Sequence, residues 1–355
     1  MSSPARIASL DQFRGYTVAG MFLVNFIGGF AVVPAVLKHH HTYCSYADTI
    51  MPQFLFAVGF ALRLVLLRNA TRDGTGPALR RAALRCLGLI VLGFVVYRLD
   101  GNFRTWAAMV AAGPAEILAN AFWRSPFQTL AHIGVTGLWV LPVILAPART
   151  RLVYAAVSGL VHLGLSHLFW YDLLHAKRVI DGGLLGFLTW TIPTLAGAYA
   201  YDVVAQRGAA GALKPLLAWG AALMAAGYGV ACLNQGGTLV PPPFLPPTAP
   251  IDVWTMSQRA GSLSYLTFAA GFSLAAYVAF LWLVDLRGWS SRLFATLGQN
   301  ALAGYLIHLW VDDFVKPFAP RDAPWWWVVA AFLFYFGLTC GMVQVLNRRG
   351  LFLRL

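Results

Sequence analysis

Residues 9–60 read SLDQFRGYTVAGMFLVNFIGGFAVVPAVLKHHHTYCSYADTIMPQFLFAVGF, and this stretch decides how the chain folds. Two long apolar runs are separated by a polar break that contains the letters KHHH. Asn25 lies inside the first run, and Asp48 opens the second. Lipid penalises polar and ionisable groups, so such groups inside or beside membrane-length segments indicate function. We therefore expect a membrane protein whose functional residues lie in its first hairpin.

The composition of the whole chain agrees with this prediction. Hydrophobic residues make up 59% of the 355 residues and charged residues only 11%, whereas soluble domains carry about 25% charged residues. The apolar runs lack the strict alternation of barrel strands. We predict an all-α, polytopic integral membrane helical bundle that forms a single domain over residues 1–355.

Ten transmembrane spans are predicted from the apolar runs. They lie at 16–37, 49–67, 82–98, 128–147, 152–170, 182–201, 212–233, 262–284, 293–311 and 324–346. Segment 102–124 is interrupted by Pro114, Glu116 and Arg124. We expect a re-entrant or interfacial helix there, with an eleventh span as the alternative.

The distribution of basic residues predicts the orientation. With the N-terminus inside, sixteen Lys and Arg residues lie on the cytoplasmic side and nine on the other side, which favours N-in and C-in. The net charge of +13 therefore sets topology and does not indicate nucleic-acid binding. We expect the histidines to lie on the extracytoplasmic side of the membrane. The Pro-rich loop 234–260 on that side is either a stiff flap over the site or an inert connector.

The histidine cluster consists of His39, His40 and His41. If these residues continue the first helix, neighbouring side chains point about 100° apart, so at most two face one site. The cluster is a polar cap, a metal site or a source of a general base. Metal binding is disfavoured because no H-x-x-H or H-x-x-x-H spacing is present. The four scattered cysteines likewise predict neither a disulfide nor a zinc framework.

Other polar residues of the first hairpin each have two interpretations. Asn25 is either a helix–helix contact or a donor to a developing oxyanion, and Gly28 and Gly29 after it allow a close approach of backbone or ligand. Asp48 either caps the second helix or orients a histidine ring.

Asp11 and Arg14 lie on one face of the first helical turn. They form an ion pair at the membrane boundary, or Arg14 binds a phosphate of an anionic cofactor. Asn300, Tyr305 and His308 lie near one another in a later span, where interhelical hydrogen bonding is the default interpretation. The Walker, G-x-S-x-G and H-E-x-x-H motifs are absent, which argues against an ATP-driven pump, a soluble-type hydrolase and a zincin metalloprotease.

Several segments of the chain match a known family. The first are RIASLDQFRG, MFLVNFIGG, the histidine and YADTIMPQFLFAVG, and the later ones are FQTLAHIGVTGLWVLP, DGGLLGFLTWTIPTLAGAYAYD, WTMSQRAGSLSYLTFAAGFSLAAYVAFLWLVD and LGQNALAGYLIH. These segments occur in family order and are spread over residues 6–308. They resemble the transmembrane acyltransferases typified by heparan-α-glucosaminide N-acetyltransferase and their bacterial relatives, and the resemblance implies a location in the bacterial inner membrane.

The resemblance implies transfer of an acetyl group from cytosolic acetyl-CoA to a hydroxyl or amine of an extracytoplasmic glycan. The active histidine then falls on His39, with His40 a close second, the key asparagine falls on Asn25, and Asp48 holds the ring. Direct transfer and an acyl-histidine intermediate are both compatible with these residues. The predicted acyl-CoA contacts are Asp11, Arg14, Gly28, Gly29, Arg80, Arg81 and Asn300, with no metal.

One alternative uses the same residues for a different function. Polar groups inside the bundle also suit a transporter or a lipid or glycan flippase. Besides acyl-CoA and the acceptor, the expected partner is the lipid bilayer. We expect no binding of nucleic acid, and the sequence does not decide whether the protein forms a homodimer.

Overall fold

The computed structural model describes residues 7–97, 103–123, 127–177, 179–234, 239–246 and 251–353. Within these ranges the chain is helical and forms no strand, so the predicted all-α fold is confirmed. The helices are α1 (Ala8–Ile27), α2 (Tyr46–Asp73), α3 (Thr75–Tyr97), α4 (Trp106–Trp123), α5 (Thr129–Ile144), α6 (Ala148–Leu165), α7 (Tyr171–Lys177), α8 (Phe187–Ala231), α9 (Leu263–Phe280), α10 (Arg292–Gln299), α11 (Ala301–Val315) and α12 (Trp325–Arg348).

Five helical segments of the described chain are long and apolar enough to cross a membrane. They are Tyr46–Asp73, Ala148–Lys177, Gly183–Ala231, Leu263–Leu286 and Trp325–Arg348. In two of them a π-helical turn, Ser166–Trp170 or Leu281–Leu286, continues the helix. The chain is therefore a polytopic helical membrane protein.

Helix α1 ends about ten residues earlier than the predicted span 16–37 and starts eight residues before it. Gly28 and Gly29 are poor helix formers, and Pro34 restricts the residue before it to extended conformations. Residues 28–45 therefore form a loop with one 3₁₀ turn at Ala35–Leu37. The histidines lie in this loop, so the helical spacing expected for them is wrong.

Two helices, α4 and α8, are broken inside. Gly208 has φ +67° and divides α8 into two halves, which fold back on each other so that Tyr199 packs edge to face on Trp219 at 5.9 Å. These halves correspond to the predicted spans 182–201 and 212–233. The predicted span 293–311 is instead divided at Asn300 into α10 and α11.

The ambiguous segment 102–124 contains α4, which breaks at Gly113, where φ is +74°. Each half is much shorter than the ~20 residues needed to cross a bilayer. Residues 102 and 124 lie outside the described chain, as do parts 235–238 and 247–250 of the Pro-rich loop.

The described part of the Pro-rich loop packs against the bundle. The Phe244 amide donates to the Cys44 carbonyl at 2.8 Å, and the Tyr228 hydroxyl donates to the Val240 carbonyl at 2.7 Å. Phe244 also packs edge to face on Phe268. These contacts join the loop to α8, α9 and the histidine loop.

The SLDQFRG segment joins α1 to α9 and α10. The Ser9 hydroxyl donates to Asp285 at 2.6 Å. The Gln12 side chain exchanges two hydrogen bonds with the backbone of Ser291, at 3.1 and 3.2 Å. At Gly15 an added Cβ would overlap the backbone of α10. Much of this segment therefore positions α1 against the bundle.

Antiparallel packing sets the two ends of the bundle. Helix α1 ends and α2 begins at one end, here called the His39 end. Helix α2 ends and α3 begins at the other, here called the Arg80 end. Gly20 on α1 packs on Ile50 of α2, and Phe13 packs on Phe56 at 5.7 Å.

Helices α2 and α8 approach through two glycines. A Cβ added to Gly59 would overlap the Thr194 carbonyl, and one added to Gly197 would overlap the Phe56 carbonyl. Such close backbone approach is typical of packing between membrane helices, where small residues allow dense contact. This contact fixes α8 against the helix that carries Asp48.

We expect Gly59→Ala to destabilise the protein by about 1–3 kcal/mol, because the added methyl group forces α2 and α8 apart. Unfolding in mixed micelles, followed by circular dichroism, measures the change. Gly337→Ala is the matched control. No atom lies within 4 Å of a Cβ added there, so the helix propensity of Ala should stabilise it by up to ~1 kcal/mol. Equal destabilisation of both variants would contradict the packing argument.

Candidate functional site

His39 and Asp48 form a hydrogen-bonded pair at the start of α2. The Nδ1 atom of His39 lies 2.9 Å from Oδ1 of Asp48. The Asp48 side chain is fully buried, whereas 36% of the His39 side chain is exposed. A carboxylate only accepts hydrogen bonds, so Nδ1 carries the proton and Nε2 of the neutral ring keeps its lone pair.

The second carboxylate oxygen of Asp48 closes a capping box at the start of α2. Oδ2 accepts from the backbone N–H of Ser45 at 3.0 Å and from that of His40 at 3.3 Å. In return, the Asp48 N–H donates to the Ser45 hydroxyl at 3.3 Å. The two interpretations of Asp48 are therefore not exclusive, because it caps the helix and also holds the ring.

The surroundings of His39 determine its protonation. Burial disfavours the charged imidazole, but the hydrogen bond to Asp48 and the charges of Asp48 and Asp181 outweigh this effect. The pKa of His39 is therefore raised above its ordinary value. A raised pKa makes Nε2 a stronger base once the proton has left.

A cavity of about 800 Å³ opens beside this pair. Such a volume lies within the range of small-molecule sites. On α1 the lining extends from Asn25 to Thr17, eight residues or about 12 Å along the helix axis. The polar and charged residues of the lining are Thr17, Asn25, His39, His41, Tyr97, Gln128, Thr129, Asp181, Gln258, Tyr305, His308, Asp312, Asp313 and Lys316.

Asn25 lies on the wall of the same cavity as His39. Its backbone carbonyl accepts from Lys316 at 3.3 Å, and Lys316 pairs with Asp312 at 2.7 Å. The Asn25 carboxamide itself is exposed and makes no hydrogen bond to the described residues. Its N–H groups can therefore donate to a molecule in the cavity.

The neighbouring histidines differ in their positions. His40 points away from the cavity, because its Nε2 lies 2.7 Å from the Ala35 carbonyl and its ring stacks on Tyr43 at 4.2 Å. His41 lines the cavity. Burial and the nearby charge of Arg259 lower the pKa of His41 to about 4, so this ring is neutral at physiological pH.

Asp181 and Gln258 also line the cavity, and our sequence reasoning did not select them. Gln258 Nε2 donates to Asp181 Oδ1 at 3.1 Å. Asp181 adopts φ +57° and precedes two glycines that also have positive φ. Both residues lie in segments that carry the family resemblance, DGGLLG and SQRAG, but nothing in their spacing indicated a shared cavity.

Burial has a strong effect on Asp181. It raises the pKa of this carboxyl to about 7, although the charge of His39 and the hydrogen bond from Gln258 oppose the shift. At neutral pH the carboxyl is therefore close to its midpoint, and it shares the cavity with the His39 imidazole. The cavity therefore holds two titratable groups, a carboxyl with a pKa of about 7 and an imidazole with a raised pKa.

The predicted acyl-CoA contacts on basic residues lie outside the cavity lining. Arg14 lies 4.0 Å from Asp11, at the distance of a weak ion pair. Arg80 and Arg81 are exposed, and Arg81 pairs with Asp73. Tyr97, on the same helix as Arg80, lines the cavity. Arg80 lies seventeen residues before it, so the two residues are about 25 Å apart along the helix axis.

The other predicted acyl-CoA contacts, Asn300, Gly28 and Gly29, also lie outside the cavity lining. The Asn300 amide donates to Asn347 at 2.9 Å and to the Thr296 carbonyl at 3.2 Å, so Asn300 joins α10 and α12. Gly28 caps α1. Around Gly29 an added Cβ would meet no atom within 4 Å, so no described backbone approaches closely there.

The fold and the cavity define a polytopic α-helical membrane protein with a polar site at the His39 end of the bundle. No protein-family model matches the sequence, and no match to a curated protein is found. The assignment of an activity therefore depends on the residues of the cavity.

We expect Asp48→Asn to lower the pKa of His39. Burial disfavours the imidazolium, and the variant lacks the negative charge of Asp48 that offsets this effect. The pH titration of ¹⁵N-labelled imidazole groups by NMR measures this shift. Asp313→Asn removes the same charge from the cavity lining without touching the pair and should leave the titration nearly unchanged. An unaltered His39 pKa in Asp48→Asn would show that the pair does not control the ring.

Proposed function

We propose that the protein is a membrane-embedded acyltransferase that moves an acetyl or other acyl group from cytosolic acyl-CoA to a hydroxyl or amine of an extracytoplasmic glycan. The observation that carries the proposal is the shared cavity. It brings a histidine paired with a buried carboxylate together with a carboxamide that has no hydrogen-bond partner in the described parts of the chain. This combination supplies a base and an oxyanion donor, which acyl transfer requires.

His39 would act as the base. Its Nε2 takes a proton from the acceptor as the acceptor oxygen or nitrogen attacks the thioester carbonyl. The negative charge of Asp48 stabilises the imidazolium that forms. When the tetrahedral intermediate collapses, the carbon–sulfur bond breaks and the imidazolium returns the proton to the leaving thiolate. An acyl-histidine route would use the same nitrogen as nucleophile.

Asn25 would stabilise the oxyanion of that intermediate. Its side chain points into the cavity, and the Lys316 contact with its backbone carbonyl holds the end of α1 in place. The carboxamide is exposed in the free protein, so it would act as a strong donor once the bound acyl donor and acceptor exclude water from the cavity. Asp181 and Gln258, on the same cavity, would bind the polar acceptor.

The donor would enter from the Arg80 end. The positive-inside distribution of basic residues supports a cytoplasmic location for this end, with the protein in a bacterial inner membrane. The described cavity ends at Thr17, nine residues or about 14 Å from the start of α1. Leu10 and Phe13 are buried along this distance, so α1 and its neighbours would have to separate there to admit a pantetheine arm. Arg14, Arg80 and Arg81 would attract the phosphates.

His39→Ala should lower the rate of acetyl transfer to a glycan acceptor by about 10²- to 10⁴-fold, since it removes the base. In the wild type, kcat/KM should rise with pH through the raised pKa of His39, because only the neutral ring accepts a proton. Transfer of radiolabelled acetyl groups in proteoliposomes measures both. His40→Ala, which alters a ring outside the cavity lining, should cost far less. Equal losses in the two variants would contradict the assignment of His39.

Acetyl-CoA should raise the thermal unfolding midpoint of the purified protein, because a ligand that binds only the folded state stabilises it by mass action. Adenosine, which lacks the pantetheine arm and the phosphates, is the control ligand. The experiment also separates the transporter alternative. If acetyl-CoA gives no stabilisation at millimolar concentration and a labelled glycan crosses the bilayer unmodified, the acyltransferase proposal is wrong.

A further inference from the structure

A second cavity lies at the Arg80 end, between α6, the two halves of α8 and α9. It has a volume of about 260 Å³ and shares no lining residue with the first. Its walls are almost entirely apolar, formed by Ala155, Ile192, Leu195, Ala196, Leu223 and Leu274. From Ile192 to Tyr199 the lining extends about 10 Å along α8. We call it the α6–α8 groove.

Two arginines line the α6–α8 groove. Arg149 and Arg151 lie in the first turn of α6. Arg149 is exposed, whereas only 2% of the Arg151 side chain is exposed. The groove therefore combines apolar walls with positive charge at the end where α6 begins.

Arg151 belongs to a buried ion cluster. Its Nη2 donates to Oδ2 of Asp202. Arg63 donates to the same carboxylate, with Nε 2.9 Å from Oδ1. Arg63 also donates to the Ile144 carbonyl at 2.6 Å and thereby satisfies the end of α5.

The cluster does not balance its charge. Two guanidinium groups share the single carboxylate of Asp202, which leaves one positive charge in excess. The Nε and Nη1 groups of Arg151 are buried and have no hydrogen-bond partner among the described residues. A buried charge without a full set of partners is costly, and Arg149 adds a further positive charge beside it. An anion at this position would offset the imbalance.

We propose that the α6–α8 groove binds an anionic phospholipid, whose phosphate lies between Arg149 and Arg151 and one of whose two acyl chains occupies the apolar part. The apolar walls favour a lipid over a soluble phosphate, because a free anion would leave them uncovered. The Arg80 end is the predicted cytoplasmic end, where anionic lipids accumulate and where basic pockets between membrane helices bind their head groups. This site is independent of the acyl-transfer proposal.

The test compares phosphatidylglycerol and phosphatidylcholine with identical acyl chains, added to the delipidated full-length protein in detergent. Native mass spectrometry counts bound lipid, and thermal unfolding reports stabilisation. Phosphatidylglycerol should bind with a stoichiometry near one, at least tenfold more tightly than phosphatidylcholine, and should raise the unfolding midpoint. Inorganic phosphate and CoA should not displace it.

Two variants and a control assign the site. Arg149→Gln removes an exposed charge at the groove, and Ala196→Leu fills the groove while both arginines remain. Each should weaken phosphatidylglycerol binding at least tenfold. Arg207→Gln makes the same charge change at an exposed position on α8 outside the groove, and it should bind like the wild type.

Three results would overturn the proposal. Equal binding of the two lipids would show that the groove does not select the anion. Equal loss in Arg207→Gln and Arg149→Gln would show a general charge effect. Displacement of phosphatidylglycerol by phosphate or CoA would assign the arginines to a soluble anion instead.

Discussion

The buried carboxylate of Asp48 is the constraint on which the site depends. A charged group without exposure to water needs a full set of hydrogen bonds, and Asp48 obtains them from Ser45, from the His40 backbone and from the His39 ring. The same bonds start α2, fold the histidine loop over its first turn and fix the tautomer of His39. A change at Asp48 therefore acts on helix, loop and ring together.

The cavity lies beside the end of α1. The helix ends at Ile27, and the loop that follows leads back to α2. Asn25 lies two residues before this end, on the wall of the cavity. Lys316 holds the end of α1 from α11, while the tight contacts of Gly15 and Gly59 fix the helices at greater depth. Rigid packing below thus supports an open polar site above.

Several site residues were predictable because they break a local pattern. Asn25 interrupts an apolar run, and Asp48 directly precedes one. The cost of placing a polar side chain in or beside a membrane-length segment is enough to single them out as functional candidates. The sequence could not show which of His39 and His40 faces the cavity. The geometry of the loop decides this, because it turns the His39 ring toward the cavity and the His40 ring toward Ala35. Asp181 and Gln258 come from segments far apart along the chain, and their meeting depends on helix packing. Asn300 looked like a ligand contact, but its amide joins α10 to α12.

The sequence alone determined that the protein is an all-α membrane bundle and where most of its helices lie, because the length of an apolar run and the position of its polar breaks are local properties. The ends of the helices are harder to predict from sequence. In α1 the hydrophobic run continues to residue 37, whereas the helix ends at Ile27, just before Gly28 and Gly29. Tertiary structure decided which polar residues share the cavity, which of the arginines are left with unmatched charge, and where α8 and the predicted ninth span break. These features depend on distances between helices, which a linear pattern does not contain.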